Sequence, residues 1–161
     1  MKAIIAIATL ALALCGSAQA AKPDPDAKAR AEVLATLDRF FVAMSARDAK
    51  AWSEILLDDA TMHSQNFTPD GQVTLRGFTG KEMIAGLGGG PPKAEGVWKP
   101  TVLIRGPMAV VWAPYEFKLD GKSHHCGIDV FDFVKVDGAW KMSGALWTSE
   151  PAACPELKAS N

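Results

Sequence analysis

The chain has 161 residues, 48% hydrophobic and 22% charged, and its formal net charge of −1 reflects 17 basic against 18 acidic residues. This near-neutral balance, with no basic cluster longer than a residue or two, lacks the electrostatic footprint of a nucleic-acid or anionic-membrane binder. One domain with a real core is expected, because chains of about 150 residues bury roughly two thirds of their surface.

Met1-Lys2 is a short positive start, Ala3 to Leu14 an apolar run, and Ala18-Gln19-Ala20 an Ala-x-Ala ending. That pattern reads as a secretory signal peptide, residues 1–20. The run is shorter than the about 20 residues of a spanning helix. The mature protein is therefore expected in the periplasm or secreted, with no membrane insertion after signal removal. Cys15 follows the bulky Leu14, which does not suit a lipobox. Residues 21–27 read as a Pro/Asp linker, 28–150 as the domain and 151–161 as a C-terminal tail.

Val33, Leu34, Leu37, Phe40, Phe41 and Met44 recur at three- and four-residue steps, which predicts a long helix ending near Ala46. Asp48 caps a second helix carrying Trp52, Ile55 and Leu56, with Asp58-Asp59 at its exit. Ala60 to Gln65 and Gln72 to Arg76 read as short strands around the turn Thr68-Pro69-Asp70-Gly71. Thr79 and Glu82 form a capping box for a third helix through Leu87, which Gly88-Gly89-Gly90-Pro91-Pro92 ends. That glycine run lacks the Lys-Ser/Thr ending of a phosphate loop. Four long strands follow, Gly96 to Ile104, Met108 to Leu119, Lys122 to Val136 and Ala139 to Thr148. Asp120-Gly121 and Asp137-Gly138 are two-residue hairpin signals. The order is that of an α+β fold, helices against one face of a curved sheet.

Strand parity sorts the polar residues. Counting back from Asp137-Gly138 pairs Phe133 with Met142, Phe131 with Gly144 and Asp129 with Leu146 on the better core face. Counting back from Asp120-Gly121 sets Trp112 opposite Asp129 and Glu116 opposite His125. Pro114 asks for a bulge or an edge in that strand, and a bulge brings Tyr115 inside. The other side carries Ile128, Val130 and Trp147, a patch suited to a second subunit.

A carboxylate among large apolar side chains has its pKa raised by desolvation. Asp129 is therefore a candidate general acid or base, assisted by His125 or His63, beside the alternative of an aspartate hydrogen-bonded to Trp112 or water with a shape-filling role. The adjacent His124 and His125 point to opposite sides of a regular strand, so three ligands do not converge and neither metal nor other cofactor is expected. Ser149 lies opposite Cys126, and Pro151 lets the tail return, bringing Cys154 within reach. A bridge between them closes a loop of about 28 residues and contributes on the order of 3 kcal/mol.

The element order, the helix pair around Phe40-Phe41 and Trp52, the turn Thr68-Pro69-Asp70-Gly71, and Cys126-Gly127-Ile128-Asp129-Val130-Phe131 leading into Asp137-Gly138-Ala139-Trp140-Lys141-Met142 carry a resemblance. Over essentially the whole mature chain, the sequence resembles the nuclear transport factor 2-like (NTF2-like) superfamily, in particular its exported SnoaL-like bacterial members. The resemblance implies a cone of three helices packed on a curved, mainly antiparallel sheet of about six strands. It implies a cavity for a small hydrophobic molecule, with Trp112, Tyr115, Glu116, Phe131, Leu146, Phe41 and Trp52 as lining, and a homodimer paired through the sheet. The family's functions are diverse and fold does not imply function. Ligand binding, isomerase or dehydratase chemistry with Asp129 as acid or base, and a non-catalytic dimerisation module all remain open.

Overall fold

The computed structural model describes residues 24–68 and 70–159. The expected signal peptide, Cys15 and the start of the linker lie outside them.

The opening helix α1 (Ala27–Ala46) buries Val33, Leu37, Phe40 and Met44 along one stripe and ends at Arg47 in the left-handed region, φ 56°. Asp48 then accepts the Ala51 N–H and starts α2 (Ala49–Ile55). The corner is locked by Trp52, whose ring stacks on Phe40 at 4.7 Å and whose Nε1–H donates to the Phe40 carbonyl at 2.9 Å. Arg47 also donates to the carbonyls of Gly88 and Gly90, pinning the glycine run.

The chain turns directly from α2 into β1 (Leu56–Phe67), so Asp58 and Asp59 lie within a strand and not at a helix exit. Between Leu56 and Thr61 that strand's register slips against its partner. After β2 (Val73–Thr79), the expected capping box forms: Thr79 Oγ1 accepts the Glu82 N–H and Glu82 accepts the Thr79 N–H, opening α3 (Gly80–Gly86). The strand expected over 96–104 is two, β3 (Lys93–Val97) and β4 (Thr101–Arg105). Between them Lys99 has φ 45° and Pro100 lacks an N–H to donate, so the ladder breaks there. Both segments pair with β5 (Met108–Leu119), one along each half.

The hairpin β5, β6 (Lys122–Val136) and β7 (Ala139–Ser149) follows its turn signals, with Asp120, Gly121, Asp137 and Gly138 all at positive φ as two-residue turns of this kind require. Among the described residues there are seven strands, one more than expected, in a curved sheet ordered β2-β1-β7-β6-β5-β3 with β4 beside β5; β1 and β7 run parallel. The helices α1 to α3 pack their apolar faces on one side. A salt bridge ties α1 to the last hairpin: Glu32 accepts from Lys135 Nζ at 2.8 Å and from Trp140 Nε1 at 3.2 Å.

Two bulges re-sort the faces. Between Phe117 and Lys118 the β5–β6 register shifts by one, so His124 is the extra residue, Ala113 faces Asp129 and Glu116 faces Cys126. Between Asp132 and Phe133 the β6–β7 register shifts by one at Ser143, so Asp129 faces Trp147 and Phe131 faces Ala145. A one-residue slip exchanges the faces of everything beyond it. Trp112 and Leu146 are consequently outside, 52% and 41% exposed, while Trp147 turns inward to the helices.

The expected tail carries a fourth helix, α4 (Cys154–Ala159), and Cys126 and Cys154 are bridged. Lys158 of α4 donates to Glu116 on the outer face of β5 at 2.6 Å.

Candidate functional site

The sheet and helices enclose a cavity of about 320 Å³. Its walls are largely apolar: Phe40 and Met44 come from α1, Trp52 from α2, Met62 from β1, Phe131 from β6, Ala145 and Trp147 from β7. Phe78, Met83, Gly86 and Leu87 line it from the α3 side. Glu82, Lys93, Glu95, His125 and Asp129 are its polar members.

Asp129 is 3% exposed. Its carboxyl hydrogen-bonds that of Glu95, which comes from β3 across the intervening strand β5. Burial pushes the Glu95 carboxyl up to about 8. Burial, the nearby Glu95 charge and the shared hydrogen bond raise Asp129 well above the ordinary carboxylate range. Two carboxyls in contact within an apolar wall cannot both ionise cheaply, so the pair retains protons at neutral pH. Asp129 Oδ2 is buried with no hydrogen-bond partner among the described residues. Burial without a partner is costly for a polar atom, and the Glu95 carboxyl is the group beside this one.

The floor beneath the pair is built around Gly127. A Cβ there would lie 1.9 Å from the carbonyl oxygen of Thr148, so only glycine lets β7 cross so closely. That carbonyl accepts the Tyr115 hydroxyl at 2.7 Å, and Thr148 Oγ1 accepts the Ile128 N–H at 2.9 Å. Tyr115 is fully buried, turned inward by the extra residue His124 in β6 and not by a bulge at Pro114, but it supports this floor and does not line the cavity. Burial, then Asp129, Glu95 and Glu150, raise its phenol above the ordinary value, so it stays protonated and can keep that bond.

His125 does line the cavity, 8% exposed, with its ring stacked on Phe117 at 5.0 Å. Burial, with a smaller contribution from His124, lowers its pKa to about 4, so it is a neutral imidazole at pH 7. The bulge brings the two histidines together: their Nδ1 atoms lie 2.8 Å apart, against the expectation of opposite sides. A bulge residue escapes strand alternation, which is the physical reason. Among the described residues, no group of three or more His, Cys, Asp or Glu side chains is placed to hold a metal ion.

The expected site residues thus divide. Asp129, His125, Phe131 and Trp52 meet in the cavity. Phe41 packs edge-on to Phe131 in the core without lining it. Trp112, Glu116 and Leu146 stand on the outer side of the sheet through the register shifts, and His63, expected as a catalytic partner, is exposed on β1 beside Gly77. Glu95 is the residue that sequence reading misses. Nothing marks one glutamate between a proline pair and a glycine as a cavity residue; only the pairing of β3 with β5 brings it to Asp129.

No family model and no curated protein matches the chain. Solved structures do. An NTF2-like protein from Cytophaga hutchinsonii superposes with a TM-score of 0.62 at 19% identity over 74% of this chain and 97% of its own. An NTF2-like superfamily protein from Salmonella enterica gives 0.62 at 12% over 76% and 92%. An NTF2-like protein with a cystatin-like fold from Novosphingobium aromaticivorans gives 0.61 at 15% over 82% and 88%. At these identities the likeness is one of fold alone.

Proposed function

The chain has the NTF2-like fold, and from that premise we propose that it binds a small, mainly apolar molecule in its cone cavity, oriented by the Glu95–Asp129 carboxyl pair. The observation that carries this is the Glu95–Asp129 carboxyl pair set in the wall of a largely apolar cavity. Ligand sites are typically apolar clefts of about 300–1,000 Å³ with a few convergent polar groups. The test uses N-phenyl-1-naphthylamine, an uncharged apolar fluorophore, with the variant Ala145→Phe, which fills the cavity from β7. The native protein should enhance probe fluorescence saturably, and the variant should bind at least about tenfold more weakly while unfolding near the native temperature. Equal binding by both proteins, or none by the native one, overturns the reading.

A second reading, isomerase or dehydratase chemistry, draws on the same pair. Two carboxyls whose pKa values are both forced up are suited to giving and taking a proton near neutrality. Under it, Asp129→Asn removes turnover and keeps ligand affinity; turnover retained by that variant excludes it. A non-catalytic dimerisation module has less support, because its own side chains would be expected to fill the cone, which holds a cavity of about 320 Å³.

The protein's setting is proposed as the periplasm or the exterior, on the signal pattern of residues 1–20 and on a bridged Cys126–Cys154 pair, since disulfides persist in oxidising compartments. A mature N-terminus at Ala21 on Edman sequencing is the expected result, and an intact Met1 the contrary one. Pairing with a second copy through the outer face of the sheet is proposed on the exposure of Trp112, Leu146 and Leu103 there.

A further inference from the structure

Resting on the ligand-binding reading, the identity of the ligand's polar end follows from what surrounds the carboxyl pair. Among the described residues, none of the six ion pairs includes Glu95 or Asp129. The two lining groups able to carry positive charge do not serve them. Lys93 Nζ donates to the Gly89 carbonyl at 2.9 Å, and His125 is held neutral by burial. The third lining acid, Glu82, is taken up by the α3 capping box. Tyr115, the other titratable group facing the pair, donates its O–H to the Thr148 carbonyl and adds no charge.

The remaining wall is apolar and rich in rings. Phe40, Trp52, Phe78, Phe117, Phe131 and Trp147 all line the cavity. Ring faces attract a cation within about 6 Å by their quadrupoles, and more strongly where water is excluded. An anionic ligand would meet carboxyls with no basic partner. A neutral ligand would satisfy one hydrogen bond and leave the pair's charge-forming capacity unused. A cation uses both the rings and the carboxyls.

We propose that the cavity takes a lipophilic ammonium, an apolar skeleton bearing one protonated amine, whose N–H donates to the Glu95–Asp129 carboxyl pair and whose charge that pair balances. The proton balance is explicit. The amine arrives protonated from water, the carboxyl pair gives one of its protons to the buffer, and the complex retains one carboxylate against one ammonium. Binding therefore releases up to one proton, whereas a neutral ligand releases none.

Three probes on one skeleton test this: 1-adamantylmethylamine, 1-adamantylmethanol and 1-adamantanecarboxylate, titrated calorimetrically into the full mature protein at pH 7 in two buffers of different ionisation enthalpy. The amine should bind at least about tenfold, or about 1.4 kcal/mol, more tightly than the alcohol, with measurable proton release, and the carboxylate should bind least. Glu95→Gln should erase the amine's advantage and the proton release while leaving alcohol binding within about twofold. An alcohol that binds as tightly as the amine, or amine binding without proton release, overturns the proposal and leaves the cavity reading standing, provided the naphthylamine fluorophore still binds. Failure of all three probes and of the fluorophore removes both.

Discussion

Glu95, Asp129 and His125 make the stability of this protein depend on pH in opposing senses. The Glu95 carboxyl is raised from 4.5 to about 8 by burial, so the folded state holds its proton where the unfolded chain has lost it, and stability falls as pH rises across that window. Asp129 acts in the same direction. His125 is lowered from 6.5 to about 4 by burial, so its contribution is present above 6.5 and is lost as pH falls towards 4. Between 4.5 and 6.5 the two slopes oppose each other. Above 6.5 only the carboxyls act, and urea unfolding at pH 6.5, 7.5 and 8.5 should give steadily lower midpoints. Glu95→Gln, which cannot ionise, should flatten that decline; an unchanged slope in the variant would show that the pair is not the cause. Asp129 was legible because an acid inside a run of alternating apolar residues stands out. Glu95 was not, because its neighbours in sequence are those of an exposed loop edge.

At the level of elements, turn and cap chemistry was reliable because it is local. Asp48, the Thr79–Glu82 box and the two Asp-Gly turns depend on hydrogen bonds within a few residues, and each occurs where its residues stand. Bulges are not local. His124 and Ser143 become extra residues because neighbouring strands must curve around the helices, and no residue type marks them; Pro114, the position that invites a bulge, keeps its regular pairing with Ile128. The C-terminal element depends on the bridge. Cys126 sits fully buried in β6 and Cys154, 28 positions further on, starts α4. Cys154→Ser should lower the unfolding free energy by about 3 kcal/mol on the chain-entropy account. The Glu116–Lys158 contact, half exposed to solvent, adds little to that. Coincident urea curves for the variant and the native protein would mean that α4 is stapled without stabilising the domain.

For the whole molecule, the two faces of one sheet have different surroundings. The inner face meets α1 to α3 and leaves a cavity of about 320 Å³; the outer face leaves Trp112 on β5 beside Val130 on β6 and Leu146 on β7, in adjacent register. A second copy is the expected cover for such a row. Light scattering at micromolar concentration should give twice the chain mass, and Trp112→Glu should return the monomer; a native monomer would refute the pairing. The sequence by itself determined the fold class, the three leading helices, the tight turns and the burial of Asp129, since these follow from periodicity, caps and turn residues read over short spans. Only the tertiary structure decided which residues face the cavity and which face solvent. A single extra residue in a strand exchanges its faces, and curvature of the whole sheet, not the chemistry of the residue, determines where that extra residue falls.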